Sequence, residues 1–269
     1  MKNWSIILPY YNEEKFLPGT LESICAQHLK DFTLILVNNA SNDQSEEITK
    51  KTLSRYPDID VLYLYEPNPG KTNALQTGLN AVTTPYVATI DADTYYPPYY
   101  LYFCNSILEK RPEIHGVMAC DIYAPYEDHK SQKRCRKIYR KSLLFSKQCH
   151  AGGYAQTFRT KSLRQVGGFD QNLWPYVLMD HEIVHRLLRV GKTYYSSKHW
   201  CMPSERRSDR TKVQWNKLEK ILYEFSPYFL KDWFFYRFLK KRFEQRKATI
   251  TQLREHKWEK NIDKDAHLS

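Results

Sequence analysis

The chain has 269 residues, 42% of them hydrophobic, enough for one sizeable domain or a domain with an appendage. Lys and Arg outnumber Asp and Glu 41 to 30, giving a formal charge of +11 and a pI of about 9.2, so an anionic partner is expected: nucleic acid, acidic lipid or a phosphorylated substrate. No apolar run approaches the roughly 20 residues of a spanning helix, and the stretch Met1 to Pro9 is too short in its apolar part for a signal peptide and reads as a strand. The six scattered cysteines have no CxxC spacing, which argues against a zinc centre and for a reduced, intracellular setting.

The first half alternates strand and helix signals. Trp4 to Leu8 predicts a strand, and Leu17, Leu21 and Ile24 mark a helix between Glu13 and His28. Phe32 to Val37 is a continuous apolar strand, as in a parallel sheet covered on both faces. Asp43 and Ser45 are cap candidates for a helix through Ile48 and Leu53. A strand at 61–65, a helix at 71–82 and a strand at 86–90 follow. Repeated βαβ units of this kind predict an α/β fold with a mainly parallel central sheet. Further on, 128–150 reads as a basic helix, Gly152-Gly153 opens a short strand, 180–190 is helical and 194–197 is a strand. From Val213 the chain reads as a helical, basic and aromatic extension, so the expected division is 1–212 and 213–269. In it Leu218, Ile221, Leu222 and Phe225 form a stripe, which Ser226-Pro227 breaks.

The most telling residues are Asp91-Ala92-Asp93. They stop the β-branched run Tyr86 to Ile90 and are followed by Pro97-Pro98, so a buried strand opens there into a loop. Ligands of α/β proteins bind where strands end. Hard divalent cations take carboxylate oxygens and share their shell with substrate phosphate.

Four segments, taken in order, resemble family 2 of the glycosyltransferases. They are Ile6 to Glu14 (IILPYYNEE), Val37 to Asp43 (VNNASND), Asn68-Pro69-Gly70-Lys71 through Asn80 to Asp93, and Arg159 through Val166-Gly167-Gly168-Phe169-Asp170 to Asp180. The resemblance covers roughly residues 3 to 210. It implies the GT-A fold with a basic helical C-terminal extension, a nucleotide-diphospho-sugar donor, with a UDP-sugar favoured, and Mn2+ or Mg2+ as cofactor. It implies that Asp93 binds the metal and offers His199 as a second ligand, although a lone histidine beside Trp200 is more often a packing residue. Asp180 becomes the base that deprotonates the acceptor hydroxyl. The family carries a Glu-Asp pair there and this chain has Met179-Asp180, so Glu182 is the fallback.

The donor side falls to Pro9, Tyr11, Glu13, Asn39, Lys71, Asp91 and Arg207. Tyr11 stacks on a base or packs its loop. Asn38 and Asn39 stand where the family reads base and ribose, and an amide both donates and accepts. Lys71 opens a helix after Gly70 and either meets phosphate or lies exposed. Asp91 binds ribose or orients the site. Arg206 and Arg207, in Ser204-Glu205-Arg206-Arg207, clamp diphosphate or form a solvated loop. Trp174 and His150 fall in segments that line the acceptor or pack the core.

The expected reaction is inverting sugar transfer to a hydroxyl of a glycan or lipid-linked acceptor, in cell-surface polysaccharide or lipopolysaccharide-type synthesis. Trp233, Phe234, Phe235 and Phe238 beside Lys240, Lys241 and Arg242 suit a membrane interface. The expected location is therefore cytoplasmic, peripheral on the inner face of the membrane; domain packing or an oligomer contact is the alternative. Two other functions compete. A sugar-1-phosphate nucleotidylyltransferase needs a Gly-rich loop where Tyr10-Tyr11-Asn12-Glu13 stands. A nucleic-acid-binding protein would explain the charge, but no module of that kind is visible, so no nucleic acid is expected.

Overall fold

The structure, a computed structural model, describes residues 2–204 and 215–251. The first half is a run of β1 (Trp4–Tyr10), α1 (Leu17–Cys25), β2 (Phe32–Asn38), α2 (Ser45–Leu53), β3 (Asp60–Tyr65), α3 (Lys71–Ala81) and β4 (Tyr86–Thr89). After the short β5 (Thr94–Tyr95) come α4 (Tyr100–Lys110), β6 (Ile114–Asp121) and α5 (His129–Leu144). Then follow β7 (Gln156–Arg159), α6 (Thr160–Gln165), α7 (Met179–Leu187) and β8 (Lys192–Pro203). The described part of the extension holds α8 (Lys217–Phe225), α9 (Lys231–Trp233), a π-helical stretch Phe234–Leu239 and α10 (Lys240–Gln245).

Among the described residues the strands form one sheet in the order β3-β2-β1-β4-β7-β6-β8-β5. The first four run parallel, with Tyr10 level with Asn38 and Asn38 level with Tyr65. Their C-terminal ends therefore open on one edge, and Asp91 and Asp93 leave β4 there. β7 is antiparallel to both β4 and β6, and so returns residues 149–155 to the same edge. The expected α/β sheet is present and mainly parallel. α4 and β6 have no counterpart among the elements read from the sequence.

Local chemistry accounts for the elements. β2 is buried on both faces, hence its unbroken run Phe32 to Val37. α2 has Glu46 and Glu47 in its first turn and Lys50 and Lys51 in its last, complementing its dipole. Its two cap candidates also tie down the loop after β1: Glu13 N–H donates to Ser45 Oγ at 2.7 Å, and Glu14 N–H to Asp43 Oδ2 at 3.2 Å. The main core lies between the sheet and α1, α3 and α4, with Trp4, Leu8, Leu21, Leu75 and Phe158 fully enclosed.

A second core joins the extension to the body. Phe234, Phe235 and Phe243 are buried with Trp174, Tyr176 and Tyr223, and the Trp174 and Phe235 rings meet edge to face at 5.6 Å. This corrects the membrane reading of Phe234 and Phe235, which face the domain. Arg242 is likewise engaged inward, 2.9 Å from Glu219, which is completely buried. The expected boundary at 212 lies outside the described residues. Phe235→Ala should cost about 3–5 kcal/mol, as aromatic truncations in a packed core do. A denaturant melt checks this, and a loss under about 1 kcal/mol would detach the helix from the domain.

Candidate active site

Three segments meet at the open edge of the sheet. Lys71, first residue of α3, forms an ion pair with the Asp91 carboxylate. Gly153, in the return before β7, lies against both sides of the site: a Cβ there would sit 3.4 Å from Asp180 Cβ and 3.5 Å from Lys71 Nζ. Asp180 and the Lys71–Asp91 pair thus meet beside one glycine. A further bond links the helices, for the Thr72 hydroxyl lies 3.3 Å from Met179 Sδ, so the methionine that replaces the expected acid touches the start of α3.

The positions are held by the backbone and by buried polar groups. Asp91 N–H donates to Tyr96 Oη at 3.0 Å, and Tyr96 O–H donates to the Tyr154 carbonyl at 2.8 Å, tying the acid loop to the Gly153 return. Gln156 Nε2 donates to the Asp180 carbonyl at 3.1 Å, fixing the start of α7 to β7. Leu178, which precedes α7, has φ +63°. Without glycine such a left-handed residue costs about 1–2 kcal/mol, strain that the surrounding contacts must hold. Asn12 and Ala40, in the loops after β1 and β2, are left-handed too, at +52° and +57°. Asp93 is also built in: Ser204 N–H donates to its carbonyl at 2.8 Å, and the Ser204 hydroxyl to its Oδ2 at 3.1 Å.

Lys71, Asp91, Asp93 and Asp180 are brought to this edge. Tyr11 is half-buried where the chain leaves β1, in a loop bound to the β2 loop by Asn12 N–H on Ser41 Oγ at 3.2 Å. Pro9 is buried within β1, level with Val37, and the buried Glu13 anchors the turn into α1. Asn39 departs from its expected part. Its Nδ2 donates to the Glu66 and Asn68 carbonyls at 2.9 and 2.8 Å, and its Oδ1 accepts from Gly70 N–H at 2.9 Å. It sets the loop that carries Lys71 rather than reading a base. Arg207 and Arg206 lie outside the described residues.

Other expectations are corrected. His199 is not brought to the site: its ring stacks on Phe103 at 4.6 Å and lies 4.6 Å from Tyr100, with Nε2 3.3 Å from Cys104 Sγ. It is a core residue against α4. Glu182 cannot stand in for Asp180, since its oxygens are held by Arg186 at 2.7 and 2.8 Å and by the Tyr236 hydroxyl at 2.5 Å. Trp174 is core, and His150 is engaged with the Phe145 carbonyl at 2.9 Å. Gly153 and Tyr96 were not singled out from sequence. The glycine pair was the one available signal for the first, and nothing marked the tyrosine.

The oxygen-only groups near the edge, the Asp91 and Asp93 carboxylates and the Ser204 hydroxyl, suit a hard divalent cation. Among the described residues no three His, Cys, Asp or Glu side chains cluster closely enough to hold an ion alone.

The profile described as glycosyl transferase family 2 matches residues 5–167, so the chain belongs to that family. It is 36% identical over 120 residues to a teichoic acid poly(glycerol phosphate) polymerase of Staphylococcus epidermidis, covering 44% of this chain and 16% of that one. It is 35% identical over 101 residues to an undecaprenyl-phosphate 4-deoxy-4-formamido-L-arabinose transferase of Photorhabdus laumondii, covering 36% and 31%. The chain thus spans less than a third of these relatives. An uncharacterised glycosyltransferase of Rickettsia prowazekii is 25% identical over 228 residues, 80% of this chain and 68% of that one. Among solved structures, a Pyrobaculum calidifontis mannosyltransferase in complex with GDP-Man and Mn2+ superposes with a TM-score of 0.67 at 19% identity, covering 83% and 63%. Staphylococcus aureus TarS in complex with UDP-GlcNAc gives 0.57 at 18%, covering 91% and 73%. The fold is GT-A.

The buried histidines make stability pH-dependent. Burial pushes His199 down to about 3 and His150 down to about 4, and lowers His181 and His185. The unfolded chain takes these protons near pH 6.5 and the folded chain refuses them. Their contribution is therefore complete above about pH 6.5 and is lost as pH falls toward 4 and 3, by about 1.4 kcal/mol per pH unit for each residue still neutral when folded. Denaturant midpoints should drop between pH 7.5 and 5, and less steeply in His199→Phe. Equal slopes would contradict this.

Proposed function

We propose that the chain transfers a sugar from a nucleotide-diphospho-sugar to a hydroxyl of a glycan or lipid-linked acceptor, with inversion at the anomeric carbon. The observation that carries this is the meeting of Lys71, Asp91 and Asp180 around Gly153. A cation with its acid partner and a separate carboxylate converge on one point beside the Gly153 backbone. An inverting transfer needs a group that holds diphosphate and a base acting around one reacting carbon, and these residues supply both.

Each residue has a part. Lys71, at a helix start, places an ammonium and free backbone N–H groups toward diphosphate oxygens. Asp91 fixes Lys71 and faces the ribose side. Asp93, held by Ser204, together with Asp91 would hold Mn2+ or Mg2+; a bound cation supplies Lewis-acid neutralisation of charge on the departing nucleotide diphosphate. Asp180 removes the proton of the acceptor hydroxyl as its oxygen attacks. Gly153 leaves the space that a side chain would fill. Two solved neighbours hold GDP-Man with Mn2+ and UDP-GlcNAc, and the relatives named for teichoic acid and undecaprenyl-phosphate support a cell-surface or lipid-linked acceptor. Work on such an acceptor would take place at the cytoplasmic face of the membrane. No described helix is long and apolar enough to cross one.

Nucleotide release from UDP-, GDP- and dTDP-sugars with Mn2+ or Mg2+ identifies the donor. Asp180→Asn should lower turnover at least ~100-fold with donor binding little changed; retained turnover would take the base role from it. Asp93→Ala should abolish transfer without unfolding the chain, and EDTA should do the same to the wild type. Full activity in EDTA would leave Asp93 a structural residue.

A further inference from the structure

Helix α8 turns most of its apolar stripe outward. Leu218, Ile221 and Phe225 face solvent, with Phe225 70% exposed, while Leu222 packs on the second core beside the inward Glu219 and Tyr223. The inward polar groups are fully engaged. Glu219 completes a capping box with Asn216 and binds Arg242 and Arg246 at 2.9 Å each. The helix is therefore held in this orientation by ion pairs to the buried Glu219, and its outward apolar face is a built feature.

Helix α5 lies beside it. The Phe145 and Phe225 rings meet edge to face at 5.9 Å, and Lys141 pairs with Glu224 at 2.5 Å. On α5, Lys133, Arg136, Lys137 and Arg140 recur at spacings of three and four and share one face with Leu143 and Leu144, all exposed. Among the described residues none of those four basic side chains forms an ion pair. Leu144 is 77% exposed at the end that meets α8, and Phe229, four residues beyond Phe225, is 79% exposed.

We infer that the outward faces of α5 and α8 dock on an anionic lipid bilayer. Leu144, Ile221, Phe225 and Phe229 enter the headgroup layer, and the α5 basic row lies on lipid phosphates. Charge decides the occupant: an exposed apolar patch continued by an uncompensated row of cations suits an anionic surface, and pairing with a second copy across this face would bring like charges together. The position fits the chemistry. On the inner side of α8, Tyr223 Oη accepts from Cys149 N–H at 2.8 Å and lies 3.1 Å from His181 Nδ1. One side-chain layer thus separates the docked face from the loop and helix that carry Gly153 and Asp180. The use of that proximity rests on the proposed lipid-linked acceptor; the docking does not.

Flotation with vesicles of phosphatidylglycerol and phosphatidylcholine, against phosphatidylcholine alone, tests this on the full chain, with acceptor-free donor hydrolysis as a separate readout. The wild type should float with anionic vesicles at low salt and release at high salt. Ile221→Glu with Phe225→Glu, and separately Lys137→Glu with Arg140→Glu, should each weaken flotation at least ~10-fold with hydrolysis and thermal midpoint unchanged. Lys240→Glu with Lys241→Glu should float as the wild type. A wild type that stays in solution at low salt overturns the inference, as does release only by the Lys240 and Lys241 changes, or a dimer dissolved by Ile221→Glu. Vesicle binding without any donor hydrolysis would leave the docking standing and count against the transfer reading.

Discussion

The ion pair between Lys71 and Asp91 joins α3 to the exit of β4, and much of the surrounding structure serves to place its two ends. Lys71 is presented by a helix start that Asn39 shapes through Gly70 and the 66–68 loop. Asp91 is presented by a parallel strand whose exit is pinned through Tyr96 to Tyr154. An ammonium and a carboxylate this near to burial hold each other in place and keep the edge of the sheet charged. A further carboxylate, Asp180, arrives from a distant segment and meets the pair beside Gly153.

The second part of the molecule follows from a different constraint. The extension buries Phe234, Phe235 and Phe243 against Trp174 and Tyr176, and that packing orients the chain just before α7. The same packing holds α8 with Glu219 inward. Orienting the segment that leads into Asp180 and exposing an apolar helix face are thus two results of one aromatic core.

Much of this was legible in the sequence. The β-branched runs ending in acids and the helix opening at Lys71 pointed to the parallel sheet and to the strand-end places of Lys71, Asp91 and Asp93, because strand and helix periods are local properties; Asp180 was marked by the resemblance to the family alone. β6 and α4 escaped notice, although β6 is central to the sheet. His199 was open between ligand and packing residue, and only its ring neighbours Tyr100 and Phe103, a hundred residues earlier, decide for packing. Asn39 and Tyr96 show the same limit: their roles are hydrogen bonds to distant backbone. The aromatic tail misled because the phase of a helix against its domain is not written in the helix itself. Phe234 and Phe235 turn inward while Leu218, Ile221 and Phe225 turn out.

The central claim is that Lys71, paired with Asp91, faces donor diphosphate. It is tested most directly by calorimetric titration of the preferred nucleoside diphosphate, in the presence of Mn2+, into the wild type and Lys71→Met. A charge-assisted bond to phosphate of about 1.5–3 kcal/mol predicts binding weakened by roughly 10- to 150-fold, with the parent nucleoside bound equally by both proteins. Equal diphosphate affinity in the two would contradict the account.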